Sequence, residues 1–120
     1  TYLSLNAPTQ LAFQVLFEQR RSLQTQIRSR VLENRAYLQQ QLQSHNDWTS
    51  LDAQGGWYAV LKMPTAQSDE TFAVHLLQNH HTLVHPGHFY NFSGHKFLVL
   101  SLIGQADHFR EGVARLFNLR

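Results

Sequence analysis

The chain has no cysteine in its 120 residues. That excludes disulfides and thiolate metal sites and fits a reducing compartment, so a cytoplasmic protein is expected. Charge is scarce. Charged residues make up 15% of the chain and the net charge is +2. Long single-sign patches are missing, which argues against a nucleic-acid partner. No apolar run approaches the roughly 18 residues of a membrane span, and no N-terminal stretch has signal-peptide character, so no membrane partner is expected. Proline and glycine are absent between Thr9 and His45, and acidic residues are absent from Thr71 to Ala106. The chain opens at Thr1, directly in the apolar Tyr2-Leu3-Ser4-Leu5, where natural termini are usually polar and loose. The expectation is a piece of a larger protein.

What is present is 42% apolar residues, enough for one small core. The stretch from Thr82 to Ile103 organises the rest. Two apolar runs, 82–84 and 97–103, flank a loop rich in aromatic and histidine residues and anchored by Pro86-Gly87. The second run has one polar side chain, Ser101, and suits a strand buried on both faces. Upstream, residues 2–5 read as extended. Asn6 caps a helix opened by Pro8, with Leu11, Phe13, Val15, Leu16 and Phe17 apolar nearly all round, as in a short buried helix. Residues 18–21 interrupt it. Ser22 is placed to cap a second helix, with Leu23, Ile27, Val31, Leu38 and Leu42 on a stripe that slips near Asn34-Arg35. Strands are predicted over 48–52 and 57–63, joined by a turn at Gln54-Gly55-Gly56. Ser68 caps a third helix with Asp69 and Glu70 at its positive end and Phe72, Ala73, Leu76 and Leu77 inward. A last helix over 105–117 turns Phe109, Val113, Leu116 and Phe117 inward. The order is helix, helix, strand, strand, helix, strand, strand, helix. This is an α+β domain over residues 1–120, with a small, mostly antiparallel sheet covered on one face by helices.

Three motifs invite chemistry. His80, His81, His85, His88 and His95 fall within 16 positions. A helical metal pair needs i, i+4 spacing on one helix; His75 and His80 are five apart, His85 and His88 are split by Pro86-Gly87 in a loop, and no local carboxylate completes a site, so no metal ligands are assigned. Ser93-Gly94-His95-Lys96 matches S-x-x-K, but Gly94 breaks the helix that this tetrad needs. Lys96 has no activating neighbour for Schiff-base chemistry. Gly55-Gly56-Trp57-Tyr58 reads either as a hairpin turn followed by core aromatics or as a close backbone approach with Tyr58 lining a pocket. The loop over 85–92 divides in the same way.

Taken together, the series resembles the C-terminal small domain of the class I/II aminotransferases, the fold type I pyridoxal-phosphate enzymes. The resemblance is carried by the stretch from Tyr2 to Gln10, by Gly55-Gly56-Trp57-Tyr58 followed by Pro64, and by Glu70-Thr71-Phe72-Ala73. It continues in Val84-His85-Pro86-Gly87-His88-Phe89-Tyr90 and in Leu98-Val99-Leu100-Ser101-Leu102. These pieces occur in the family's order and span essentially the whole chain.

The resemblance implies a homodimeric transaminase acting between an amino acid and a 2-oxo acid. Its cofactor, pyridoxal phosphate, would be bound mainly by a large domain upstream, which also carries the Schiff-base lysine. Residues 1–20 would be the end of the large-domain or interface segment, and this chain would be inactive alone. Asn6 would lie near the neighbouring subunit's cofactor, Tyr58 would face the substrate, and the Pro86-Gly87 loop would border the substrate entrance. The departure from the pattern is Val99, where the family usually has an arginine that forks onto the substrate carboxylate. Either another group binds the carboxylate, with His88, Asn91 and Lys96 of the loop or residues upstream as candidates, or the substrate has no carboxylate there. The alternatives are a stand-alone binding or regulatory module of the same fold and, further off, a histidine-based metal protein.

Overall fold

The apolar run that begins at Phe97 becomes the second strand from one edge of the sheet and the one on which the core is built. In a computed structural model, which describes residues 4–94 and 96–119, it forms β4 (Phe97–Ser101), flanked by β2 (Tyr58–Lys62) and β3 (His85–Pro86), with β1 (Thr49–Ser50) outside β2. All three pairings are antiparallel. The helices are α1 (Ala7–Glu18), α2 (Arg20–Leu42), α3 (Asp69–His80) and α4 (Ala106–Phe117), and a 3₁₀ turn, Gly87–Tyr90, separates β3 from β4. The order is the one expected, and the fold is α+β.

One face of the sheet makes the core. Ala59 and Leu61 of β2 stand opposite Leu100 and Leu98 of β4. On them pack Leu38 of α2, Phe72, Ala73 and Leu76 of α3, and Val113 and Leu116 of α4. Trp48, Phe72 and Phe117 close one end, with edge-on ring contacts of 6.0 and 5.4 Å between centroids. The stripe on α2 slips at Asn34 because that position is a polar tie. Asn34 is fully buried, and its amide donates to the Leu102 and Gly104 carbonyls, both at 2.9 Å. Those carbonyls lie just past β4, where the chain leaves the sheet and its own ladder no longer satisfies them.

Several boundaries differ from expectation. Part of the extended segment 2–5 lies outside the described residues, and Ser4 and Leu5 are not in a strand. Asn6 caps α1, its Oδ1 accepting from the Thr9 N–H at 2.9 Å. Yet α1 has no buried residue. It is therefore not a buried helix. Leu11 is 85% exposed, and Phe13, Val15, Leu16 and Phe17 are exposed with it. Ser22 is not a cap, since α2 begins at Arg20 without a side-chain cap bond. Leu23 and Ile27 of the stripe are exposed. The second helix meets the core only from Val31 onward.

The strand expected over 48–52 pairs at Thr49 and Ser50 alone, with one further backbone bond from Leu51 to Val60. The strand expected over 82–84 is displaced to His85–Pro86. The α3 helix ends with His81 in a left-handed conformation, and residue 82 turns back on it: the Thr82 N–H reaches the Leu76 carbonyl, and its hydroxyl reaches the His80 carbonyl. Residues 82–84 are thus spent on leaving the helix. Pro86 can end β3 because an edge strand tolerates a residue without an N–H. Leu77 faces solvent rather than the core. The strand at 97–103 stops at Ser101, and it is buried on both faces only around Val99, because Ser101 and Ile103 are exposed.

The two ends of the helical layer predict opposite responses to the same chemical change. Leu38→Ala is expected to cost about 2–5 kcal/mol by removing a fully buried side chain. Leu11→Ala, at a position with no packing to lose, is expected to stay within about 0.5 kcal/mol. Urea unfolding of the 120-residue chain measures both.

Candidate functional site

The other face of the sheet carries different chemistry. Alternation turns Tyr58, Val60 and Lys62 of β2 outward, opposite Ser101, Val99 and Phe97 of β4. On the edge, His85 stands opposite Val99. Val99 is 4% exposed but lies outside the main core cluster, on this second face. It forms a closed floor, and the exposed rings of Tyr58, His85 and Tyr90 stand around it.

The loop that brings Tyr90 and His85 together is fastened from behind. Asp69, in the first turn of α3, is fully buried. One carboxylate oxygen accepts from the His88 N–H at 2.9 Å; the other accepts from the Glu70 N–H at 2.9 Å and stands 3.3 Å from His88 Nδ1. Burial by itself pushes this carboxyl upward. The His88 backbone and ring and the Glu70 N–H outweigh that and hold it below the ordinary carboxylate range. Gly87 then lets the loop lie against β4. A Cβ there would stand 2.6 Å from the Phe97 Cβ and 3.0 Å from the Phe97 carbonyl oxygen. The 3₁₀ turn ends at Asn91 with φ of 60°, a conformation that asparagine adopts more readily than most residues.

The fastened loop holds a ring cluster over the outer face. His85 Nδ1 is 2.8 Å from the Tyr90 hydroxyl, and the two rings stack with centroids 6.1 Å apart. Tyr58 lies 6.1 Å from Tyr90. Desolvation raises the Tyr90 phenol above the ordinary tyrosine value, and the charge and hydrogen bond of Tyr58 add to the shift. Tyr90 therefore keeps its proton at neutral pH.

Of the residues singled out from the sequence, the structure brings Tyr58 and Val99 to one face. It engages His88 with Asp69 behind the loop. Asn91 and Lys96 are exposed, and Asn6 is the exposed cap of α1 on a different element. Among the described residues no group of three metal-ligating side chains converges. His95, part of both the histidine cluster and the S-x-x-K match, lies outside the described residues. Sequence reasoning missed His85 and Tyr90 as a pair and gave Asp69 only a helix-end role. One signal was available for Asp69: with Glu70 it is the last acid before a histidine-rich stretch that has none of its own.

Pyridoxal phosphate, which the resemblance implies, does not find its anchor in these residues. The two lysines, Lys62 and Lys96, are exposed, whereas a lysine activated for Schiff-base chemistry is desolvated. The N-terminus of α3 is occupied by the Asp69 carboxylate and that of α4 carries Asp107, charges that disfavour a phosphate there.

The clamp predicts an acid-dependent stability. A carboxyl held low in the folded state contributes fully above the ordinary value of 3.8, and the contribution is lost as pH falls through the lower folded value. Asp69→Asn is expected to unfold at lower urea than the parent at neutral pH, with the gap closing below that value. Gly87→Ala is expected to cost about 1–3 kcal/mol, because the added methyl meets Phe97 through its Cβ and backbone rather than through a flexible side-chain end. Urea midpoints measured across pH test the first, and a single neutral-pH curve tests the second.

Comparison with known proteins follows the geometry. The model of the family "Aminotransferase class I and II" matches residues 2–116. No curated protein sequence matches the chain. Among solved structures, YbdL from Escherichia coli, described with a methionine aminotransferase function, superposes with a TM-score of 0.76 at 20% identity, over 97% of this chain and 31% of its own. LysN, the α-aminoadipate aminotransferase of Thermus thermophilus in complex with N-(5'-phosphopyridoxyl)-L-leucine, gives 0.71 at 20% identity, over 89% and 28%. An aminotransferase from Staphylococcus aureus gives 0.59 at 27% identity, over 75% and 23%. The chain spans less than a third of the length of each of these structures. With 115 consecutive positions covered by one family model and the fold shared with its structures, the chain belongs to the class I and II aminotransferase family.

Proposed function

We propose that this chain is the C-terminal small domain of a pyridoxal-phosphate-dependent aminotransferase and forms one wall of its substrate site. The family match over residues 2–116 carries this reading. The enzyme moves an amino group between an amino acid and a 2-oxo acid, with pyridoxal phosphate supplying the electron sink. The cofactor's lysine and phosphate contacts belong to the rest of the protein. The exposure of both Lys62 and Lys96 supports that assignment, and it makes the isolated chain inactive.

In this reading the outer face of the sheet turns toward the substrate. Tyr58 lines the wall, Val99 is its closed floor, and His88 serves it indirectly by tying the 87–90 turn to Asp69. Residues 1–20 belong to the interface with the large domain or with a second subunit of a homodimer, where Asn6 approaches the cofactor. The apolar residues that α1 leaves exposed support this assignment. The lack of cysteine accords with a cytoplasmic setting.

The test uses the full-length protein loaded with pyridoxal phosphate. Adding a series of amino acids is expected to change the visible absorbance of the bound cofactor and to release the matching 2-oxo acid. The 120-residue chain mixed with pyridoxal phosphate is expected to show no lysine-bound absorbance. A stable band that disappears in Lys96→Ala would overturn the division of labour.

A further inference from the structure

We propose that His85 binds the substrate carboxylate on the outer face of the sheet, through Nε2, with Tyr90 holding the ring by Nδ1. The inference rests on the aminotransferase reading and deepens it. It starts from a contrast between cross-strand neighbours. Val99 is closed off and has no donor, while His85, paired with it across β3 and β4, is exposed and polar.

The His85 ring is pre-positioned. It stacks on Tyr90 and lies 6.3 Å from the Phe89 ring, so its plane is set before a ligand arrives. Nδ1 is taken by the Tyr90 hydroxyl at 2.8 Å, and no described residue engages Nε2. The raised Tyr90 phenol keeps its proton. When it donates to Nδ1, the hydrogen of a neutral ring sits on Nε2. If the ring is protonated instead, both nitrogens carry hydrogens, and Nδ1 donates to the Tyr90 oxygen. Nε2 is a donor in both of these states, so holding an anion here does not require a permanent cation.

The surroundings favour an anion. The outward residues of β2, β3 and β4 include no Asp or Glu, and they add Lys62 and the Ser101 hydroxyl. The Asp69 carboxylate, which holds the loop, is buried and turned to His88. The class of ligand group is therefore an anion, which under the aminotransferase reading is the substrate carboxylate. A single imidazole donor gives weaker and less directional binding than a two-pronged guanidinium.

The experiment compares amino acids with their own carboxamides, which differ only at the group His85 is assigned to hold. In the full-length, cofactor-loaded protein, apparent Kd comes from spectroscopic titration and kcat/KM from product formation. His85→Ala is expected to lower the preference for carboxylate over carboxamide about tenfold, the scale of one hydrogen bond to a charged group. His85→Gln keeps a side-chain N–H and is expected to recover part of the preference. Tyr90→Phe removes the group that fixes the ring and is expected to fall between parent and His85→Ala. If His85→Ala does not fold, the Gln and Phe variants carry the test. An unchanged carboxylate preference in every folded variant overturns the assignment, as does a parent that does not discriminate between acid and amide. A parent that shows no spectral response to any amino acid overturns the aminotransferase reading itself, and the assignment with it.

Discussion

A single buried carboxylate fixes the geometry on which the candidate site depends. Asp69 sits in the first turn of α3 and holds the His88 backbone and ring from the far side of the loop. A charge with no exposed surface is costly unless its lone pairs are satisfied. Here they are met by two backbone N–H groups and an imidazole, and the helix N-terminus adds a favourable field. The carboxylate needs the loop in this position as much as the loop needs the carboxylate. With His88 held, Gly87 is pressed on Phe97, β3 is set in register with β4, and the rings of His85 and Tyr90 are delivered to the outer face.

The sheet separates two jobs by the alternation of its strands. Inward positions along β2 and β4 are aliphatic, closely packed and answerable to volume. Outward positions combine an aliphatic pair, the half-buried Val60 and the buried Val99, with exposed tyrosine, histidine, serine and lysine. A change on the outer face leaves the helices packed behind the sheet undisturbed. The Asn34 amide secures the other end of the same strand, so β4 is tied down at its exit by a side chain from α2 as it is flanked at its entry by the clamped loop.

Much of this was legible in the sequence, and the reasons for the misses are physical. The four helices and four strands in order, the Ser68 and Asn6 caps and the inward residues of α4 follow from local chemistry and periodicity. So does the faced pattern of β2. The burial of α1 was misjudged because an all-round apolar helix has the same local pattern whether its cover lies within the chain or elsewhere. The strand at 82–84 was misplaced because its β-branched residues satisfied local propensity, while the actual pairing partner was set by how α3 terminates. Strand alternation placed Tyr58, at the start of β2, and Val99, at the centre of β4, on one face each, and the resemblance alone suggested a role for them. His85 with Tyr90, and Asp69 with His88, are meetings across 5 and 19 positions. Spacing alone does not announce such pairs, because they depend on a 3₁₀ turn and a sheet register.

The closed floor at Val99 changes how the outer face should be read. A polar group at the centre of a strand is held by its neighbours on both sides, and its reach is fixed by the sheet. A polar group on an edge strand two residues before a 3₁₀ turn is held by whatever holds the turn. A recognising group at position 85, as proposed, is therefore controlled by the Asp69 clamp rather than by the sheet. The clamp, the stacked Tyr90 ring and the glycine contact with Phe97 together replace the rigidity that a central strand would have supplied. On that proposal the buried charge stiffens the one part of the wall that the sheet itself leaves at the edge.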